Sequence, residues 1–169
     1  MKISTKDFCD QHEACVNGRK WALTIGDDMA VVWDAMITES RLDWLLWTAT
    51  RQGVFPSSTL RLLACRFARE TPLEDGRTVW DLLTDPRSRA VIEIAERHAR
   101  GKATDSELAA ARSAAWTAVW DAAAYVARVS ARDAALAAAG TAAWAEARAG
   151  AGAVAAQLRM IADLGNPFN

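Results

Sequence analysis

Apolar positions along this chain recur every three to four residues and hardly ever alternate, so the pattern predicts helices from end to end. Leu42, Leu45, Leu46 and Ala49 form an i, i+3, i+4, i+7 stripe that stops at Gly53, and Ser40 followed by Asp43 reads as its capping box. Leu60, Leu63, Ala64 and Phe67 repeat the stripe behind Pro56-Ser57-Ser58, with Arg61, Arg66 and Arg69 on other faces and Pro72 ending the helix. Val91, Ile94, Ala95 and His98 form a third, opened by Asp85-Pro86 and closed by Gly101; Val79 to Leu83 make a short segment before it. Nearer the start, Ser4 or Thr5 is expected to cap a helix over 5–16 with Gly18 near its end, followed by a turn around Trp21 that stops at Gly26. Asp27 and Asp28 then precede Met29, Val32, Trp33 and Met36, where a helix N-terminus favours negative charge.

From Thr104 to Leu164 the pattern changes, because close to every second residue is alanine and no proline interrupts. Thr104-Asp-Ser-Glu107 is a capping box in the strict sense and opens this run. Alanine loses no side-chain entropy in a helix but buries little area, so such a helix gains chiefly by letting neighbouring backbones come close. Unbroken, it would be roughly 90 Å long, too long for a domain of this size. The expected helices are 104–129, 131–148 and 151–164, with Ser130, Gly140, Gly150 and Gly152 as candidate joints and Gly165 and Pro167 as the stop. The expected fold is an all-α multi-helix bundle with long alanine-rich C-terminal helices. It forms one domain over 1–169, with amphipathic helices to 103, alanine-rich helices over 104–164 and a tail over 165–169.

Composition adds a compartment and removes several function classes. Three cysteines at irregular spacing make no disulfide framework, and no apolar leader follows Met1, so a reducing, cytoplasmic setting is expected. Asp121, Arg128, Arg132, Asp133, Glu146 and Arg148 interrupt the alanine run, which excludes it as a membrane span. Net charge is −1, and the arginines between Arg61 and Arg100 are diluted by Glu70, Asp75, Asp81, Glu93 and Glu96, so a broad phosphate footprint on nucleic acid is not expected.

Three segments together resemble a known family: His12-Glu-Ala-Cys-Val-Asn-Gly-Arg-Lys-Trp21, Leu42-Asp-Trp-Leu-Leu-Trp47, and Arg89 through Ile92-Glu-Ile-Ala-Glu-Arg-His-Ala-Arg-Gly101 into the alanine run. They are similar to the alanine-rich, all-helical immunity-protein family of bacteria and phages. That resemblance implies a helical protein that neutralises a toxin by binding it. A phage-borne member could equally inhibit a host defence complex, in the manner of an anti-CRISPR protein. Neither job implies a catalytic motif.

The residues themselves offer little chemistry. Cys9-Asp-Gln-His12-Glu-Ala-Cys15 has a metal-like look, but spacings of three set successive ligands about 60° apart on a helix and a fourth, Cys65 or His98, would have to come from elsewhere. No metal or other cofactor is expected. With two histidines and no nucleophile, phosphate or dinucleotide fingerprint, an enzyme is not expected either. His98, at a helix end, reads as a capping or hydrogen-bonded histidine.

The tryptophans carry the functional expectation. Eight tryptophans stand against one tyrosine, and Trp116 and Trp120 share a face at i, i+4. In a run with few large side chains, a tryptophan either fills the gap opposite an alanine or anchors a partner. Trp47, Trp116, Trp120 and Trp144, with Arg61 and Arg66, are the expected partner contacts, the partner being a toxin or a host defence subunit. Small-residue stripes also permit pairing between copies of this chain.

Overall fold

The computed structural model describes residues 3–73, 75–126 and 151–169. Among the described residues the chain is all-α, with nine helices and no strand beyond one isolated bridge between Pro72 and Thr78. The helices are α1 (Thr5–Gln11), α2 (Val16–Ile25), α3 (Met29–Thr38), α4 (Leu42–Ala49), α5 (Ser57–Glu70), α6 (Val79–Leu82), α7 (Pro86–Ala99), α8 (Asp105–Val126) and α9 (Ala151–Ala162). No helix among them is long and apolar enough to cross a membrane. The chain divides into two compact units, residues 1–56 with 157–169, and residues 57–156.

In the first unit α1 packs on α2 and α3, α2 on α3, and α3 on α4. Asp28 caps α3, its carboxylate accepting from the Ala30 N–H at 2.9 Å, and the stripe behind it is buried as patterned: Met29, Val32, Trp33 and Met36 all lie in the core. Phe8, Leu42, Leu45 and Ala49 meet them there, with Leu158 and Ile161 from the C-terminal half of α9 also buried. The last residues are pinned rather than trailing. Asn166 donates through Nδ2 to the Ala30 carbonyl at 2.8 Å and to Asp34 at 2.9 Å, while the Phe168 ring stands edge-on to Phe8 and Trp33.

Two boundaries differ from the pattern. The expected 5–16 helix stops at Gln11, because Glu13 turns into the left-handed region (φ 54°) and lets the Ala14 N–H close on the Cys9 carbonyl at 2.9 Å. Gly18 accordingly lies inside α2, whose cap is Cys15, with Sγ accepting from the Gly18 N–H at 3.3 Å. Ser40 caps nothing: it too is left-handed (φ 56°), and the Arg41 N–H returns to the Met36 carbonyl at 2.8 Å, so α4 begins without a side-chain cap. In both places a backbone closure of the preceding helix displaces the capping geometry that local sequence suggested.

In the second unit α7 packs against both α5 and α8, and α6 against α5. The capping chemistry is dense here. Asp85 caps α7 with Pro86 at the first helical position, and Gly101 (φ 69°) ends it. Thr104 and Glu107 form the reciprocal box on α8, the Glu107 N–H donating to Oγ1 at 3.1 Å and the Thr104 N–H to the carboxylate at 2.7 Å. Thr78 and Asp81 build a second box on α6. Ala68 and Val79 are the centre of a small core joined by Leu73, Leu82 and Ile92, and α7 carries no fully buried residue. The expected joint at 130 and the helix over 131–148 lie outside the described residues.

Candidate functional site

Helices α5, α7 and α8 enclose a groove of about 520 Å³ in the second unit. Its floor comes from the apolar stripe of α7, where Val91, Ile92 and Ala95 stay half-buried because α5 and α8 pack on either side of them without closing over them. Ala64, Cys65 and Ala68 of α5 face Ala115 of α8; small side chains at these positions leave space where larger ones would fill it. Trp116 stands at the edge of the groove with 67% of its surface exposed, the most exposed tryptophan among the described residues.

Two arginines line the same groove. Arg112, one turn before Trp116 on α8, is exposed and has no hydrogen-bond or ion-pair partner among the described residues. Arg61 on α5 is held by a relay: its Nη1 lies 2.9 Å from His98 Nδ1, and His98 Nε2 lies 2.7 Å from Asp105. A guanidinium can only donate, so Nδ1 accepts from Arg61 and Nε2 donates to Asp105. His98 is thus hydrogen-bonded as expected, with Arg61 and Asp105 as its partners.

The groove offers shape and charge but little reactivity. Burial, with Glu96 nearby, pushes the Cys65 thiol up from its ordinary value, and the thiol donates to the Ile92 carbonyl at 3.7 Å, so it stays protonated. Among the described residues, no carboxylate or imidazole lines the groove itself. Below it, Arg69 fastens α5 to α7 through Glu96 at 2.7 Å, with its guanidinium 3.7 Å above the Trp80 ring.

Comparison of the chain with family models, with curated proteins and with solved structures finds no match. The site therefore stands on its own geometry.

Of the expected contact residues, Arg61 and Trp116 share this groove. Arg66 does not line it; its guanidinium is engaged by Glu70 one turn along α5 at 3.1 to 3.3 Å. Trp47 belongs to the first unit, where it is half-buried beneath Arg51, 4.9 Å above the ring, and edge-on to Phe8. Trp120 lies on α8, but its side chain, like the whole of Trp144, is outside the described residues. Arg112 was missed, although its spacing of four from Trp116 on one helix places the two side by side. As for Cys9, His12 and Cys15, no three His, Cys, Asp or Glu side chains among the described residues come together as a metal site. The His12 ring instead packs on Phe8 at 4.5 Å, and all three cysteines are free thiols.

Proposed function

We propose that this chain is a non-enzymatic binding protein that neutralises a protein toxin by direct contact, using the groove between α5, α7 and α8 in the second unit. The observation that carries the reading is Trp116, two-thirds exposed beside Arg112, which has no partner among the described residues, at the edge of an apolar groove. Leaving a large apolar ring in water has no benefit for the isolated fold, and tryptophan and arginine are the residues most enriched among those that dominate binding energy. The arginines on the groove favour a partner segment that carries carboxylates beside its apolar side chains. The toxin as partner comes from the resemblance of the His12–Trp21, Leu42–Trp47 and Arg89–Gly101 segments to immunity proteins. Three free thiols fit action in the cytoplasm.

The test is co-expression with the toxin gene adjacent to this one in its host, scored by growth and by a stoichiometric complex on size exclusion. Wild type should rescue growth, and the Trp116→Ala, Arg112→Glu double variant should lose both rescue and complex while keeping its melting temperature. Rescue that survives the double variant would move the contact elsewhere. A defence-complex subunit bound in place of the toxin would favour a counter-defence inhibitor, and self-association at micromolar concentration a structural role.

A further inference from the structure

The first unit holds a second cavity, of about 220 Å³, among α1, α2, α3 and α4. It exceeds the roughly 150 Å³ at which an apolar engineered void stays dry and takes up benzene. We propose that it binds a small, uncharged, planar aromatic molecule of about two fused rings. This inference is independent of the groove in the second unit.

The walls determine the ligand class. Trp21, Trp44 and Trp47 supply ring faces and edges, Met29 and Met36 supply polarisable thioethers that favour aromatic contacts, and among the described residues no cation lines the cavity. Burial, its largest influence, pushes the Cys9 thiol up, so it lines the space as a neutral group. Thr48 is the one buried hydroxyl in the lining among the described residues, and it makes a long hydrogen bond to the Met36 sulfur at 3.9 Å, which leaves it able to meet a polar edge of the ligand. The exposed Cys15 and Asp43 mark where the cavity reaches the surface.

The cavity is also kept from collapsing. Trp21 donates through Nε1 to Glu39 at 3.1 Å, Glu39 accepts from Arg41 at 3.2 Å, and the Arg41 guanidinium lies 5.6 Å from the Trp21 ring and 5.2 Å from the Trp44 ring. The two indoles are thereby fixed 5.1 Å apart, while Arg51 and Phe8 hold Trp47. Rings held by these contacts leave the ligand a preformed site with little ordering left to do.

Titration of the full chain with indole, followed by calorimetry and by saturation transfer to the ligand, tests this. Saturable one-to-one binding is expected, weakened at least tenfold both by Ala22→Leu, which fills the cavity, and by N-ethylmaleimide on Cys15, which plugs its mouth without altering the sequence. Indole-3-acetate should bind at least tenfold more weakly, since the apolar walls give its carboxylate nothing to replace the water it loses. Should the leucine variant not fold, the Cys15 adduct decides. No saturable binding up to about 1 mM indole, or binding indifferent to the Cys15 adduct, would overturn the proposal, and equal binding of the acetate would refute its uncharged ligand class.

Discussion

Residues 1–56 with 157–169 bury Phe8, Trp33 and Leu45 almost wholly, whereas the described residues of 57–156 combine buried Leu63, Phe67 and Leu108 with caps, ion pairs and small residues and leave a large ring outside. Trp33, Leu45 and Ile161 are wholly buried in the first unit; in the second, α7 buries nothing completely and Trp116 is exposed. The difference follows from composition. Aromatic and methionine side chains from α1, α3 and α4 are large enough to meet across the first unit. Alanines on α5, α7 and α8 are not, and they leave a groove where a partner can supply the missing volume. On the proposed function, stability and binding draw on different parts of the chain.

Several substitutions would break or sharpen that contrast, and the largest effect belongs to the first unit. Leu45→Ala should cost about 2–5 kcal/mol in urea denaturation, because a wholly buried leucine leaves a cavity. Trp116→Ala should change stability by no more than about 0.5 kcal/mol. Comparable losses at the two positions would erase the distinction. Next comes Arg69→Ala, expected to lower stability by roughly 1.5–3 kcal/mol by removing the half-buried charge-assisted bond to Glu96 that fastens α5 to α7. Thr104→Ala, which strips the box from α8, should cost about 1 kcal/mol and reduce helicity by circular dichroism.

The smallest effects are those of pH. Burial, then Arg51, holds His12 below its ordinary value. A histidine whose folded value is depressed contributes stability that is full above the unfolded value near 6.5 and is lost as pH falls through the folded one. His12→Gln should therefore flatten the urea midpoint between pH 7.5 and 5, while wild type declines. At lower pH the exposed capping carboxylates add to the decline. The backbone and hydroxyl of Thr104 hold Glu107 down, and those of Thr78 hold Asp81 down, so what each contributes is present above the usual carboxylate range and fades below it.

Much of this architecture was legible in the chain. The α3, α4, α5 and α7 stripes fall on the helices their periods predicted, and the caps at Asp28, Asp85 and Thr104 sit where the residues require them. What local pattern could not give were closures that depend on backbone geometry, at Glu13 and Ser40, and contacts over long separations, such as Asn166 reaching Ala30 and Asp34. The candidate site was legible in part. Trp116 was one of four tryptophans, and Arg61 one of two arginines, that residue type and spacing marked as contacts, and nothing in the local pattern singled them out. Which of the tryptophans is exposed depends on the neighbours each meets in three dimensions, and Arg51 and Phe8 settle that for Trp47.

The measurement that bears most directly on the proposed division between a stabilising unit and a binding unit is calorimetric titration of the toxin that co-expression identifies into wild type, Trp116→Ala and Trp47→Ala, with the melting temperature of each. Trp116→Ala should weaken binding at least tenfold, about 1.4 kcal/mol or more, at an unchanged melting temperature, while Trp47→Ala lowers the melting temperature and leaves affinity intact. Affinity lost with Trp47 and kept without Trp116 would contradict the account.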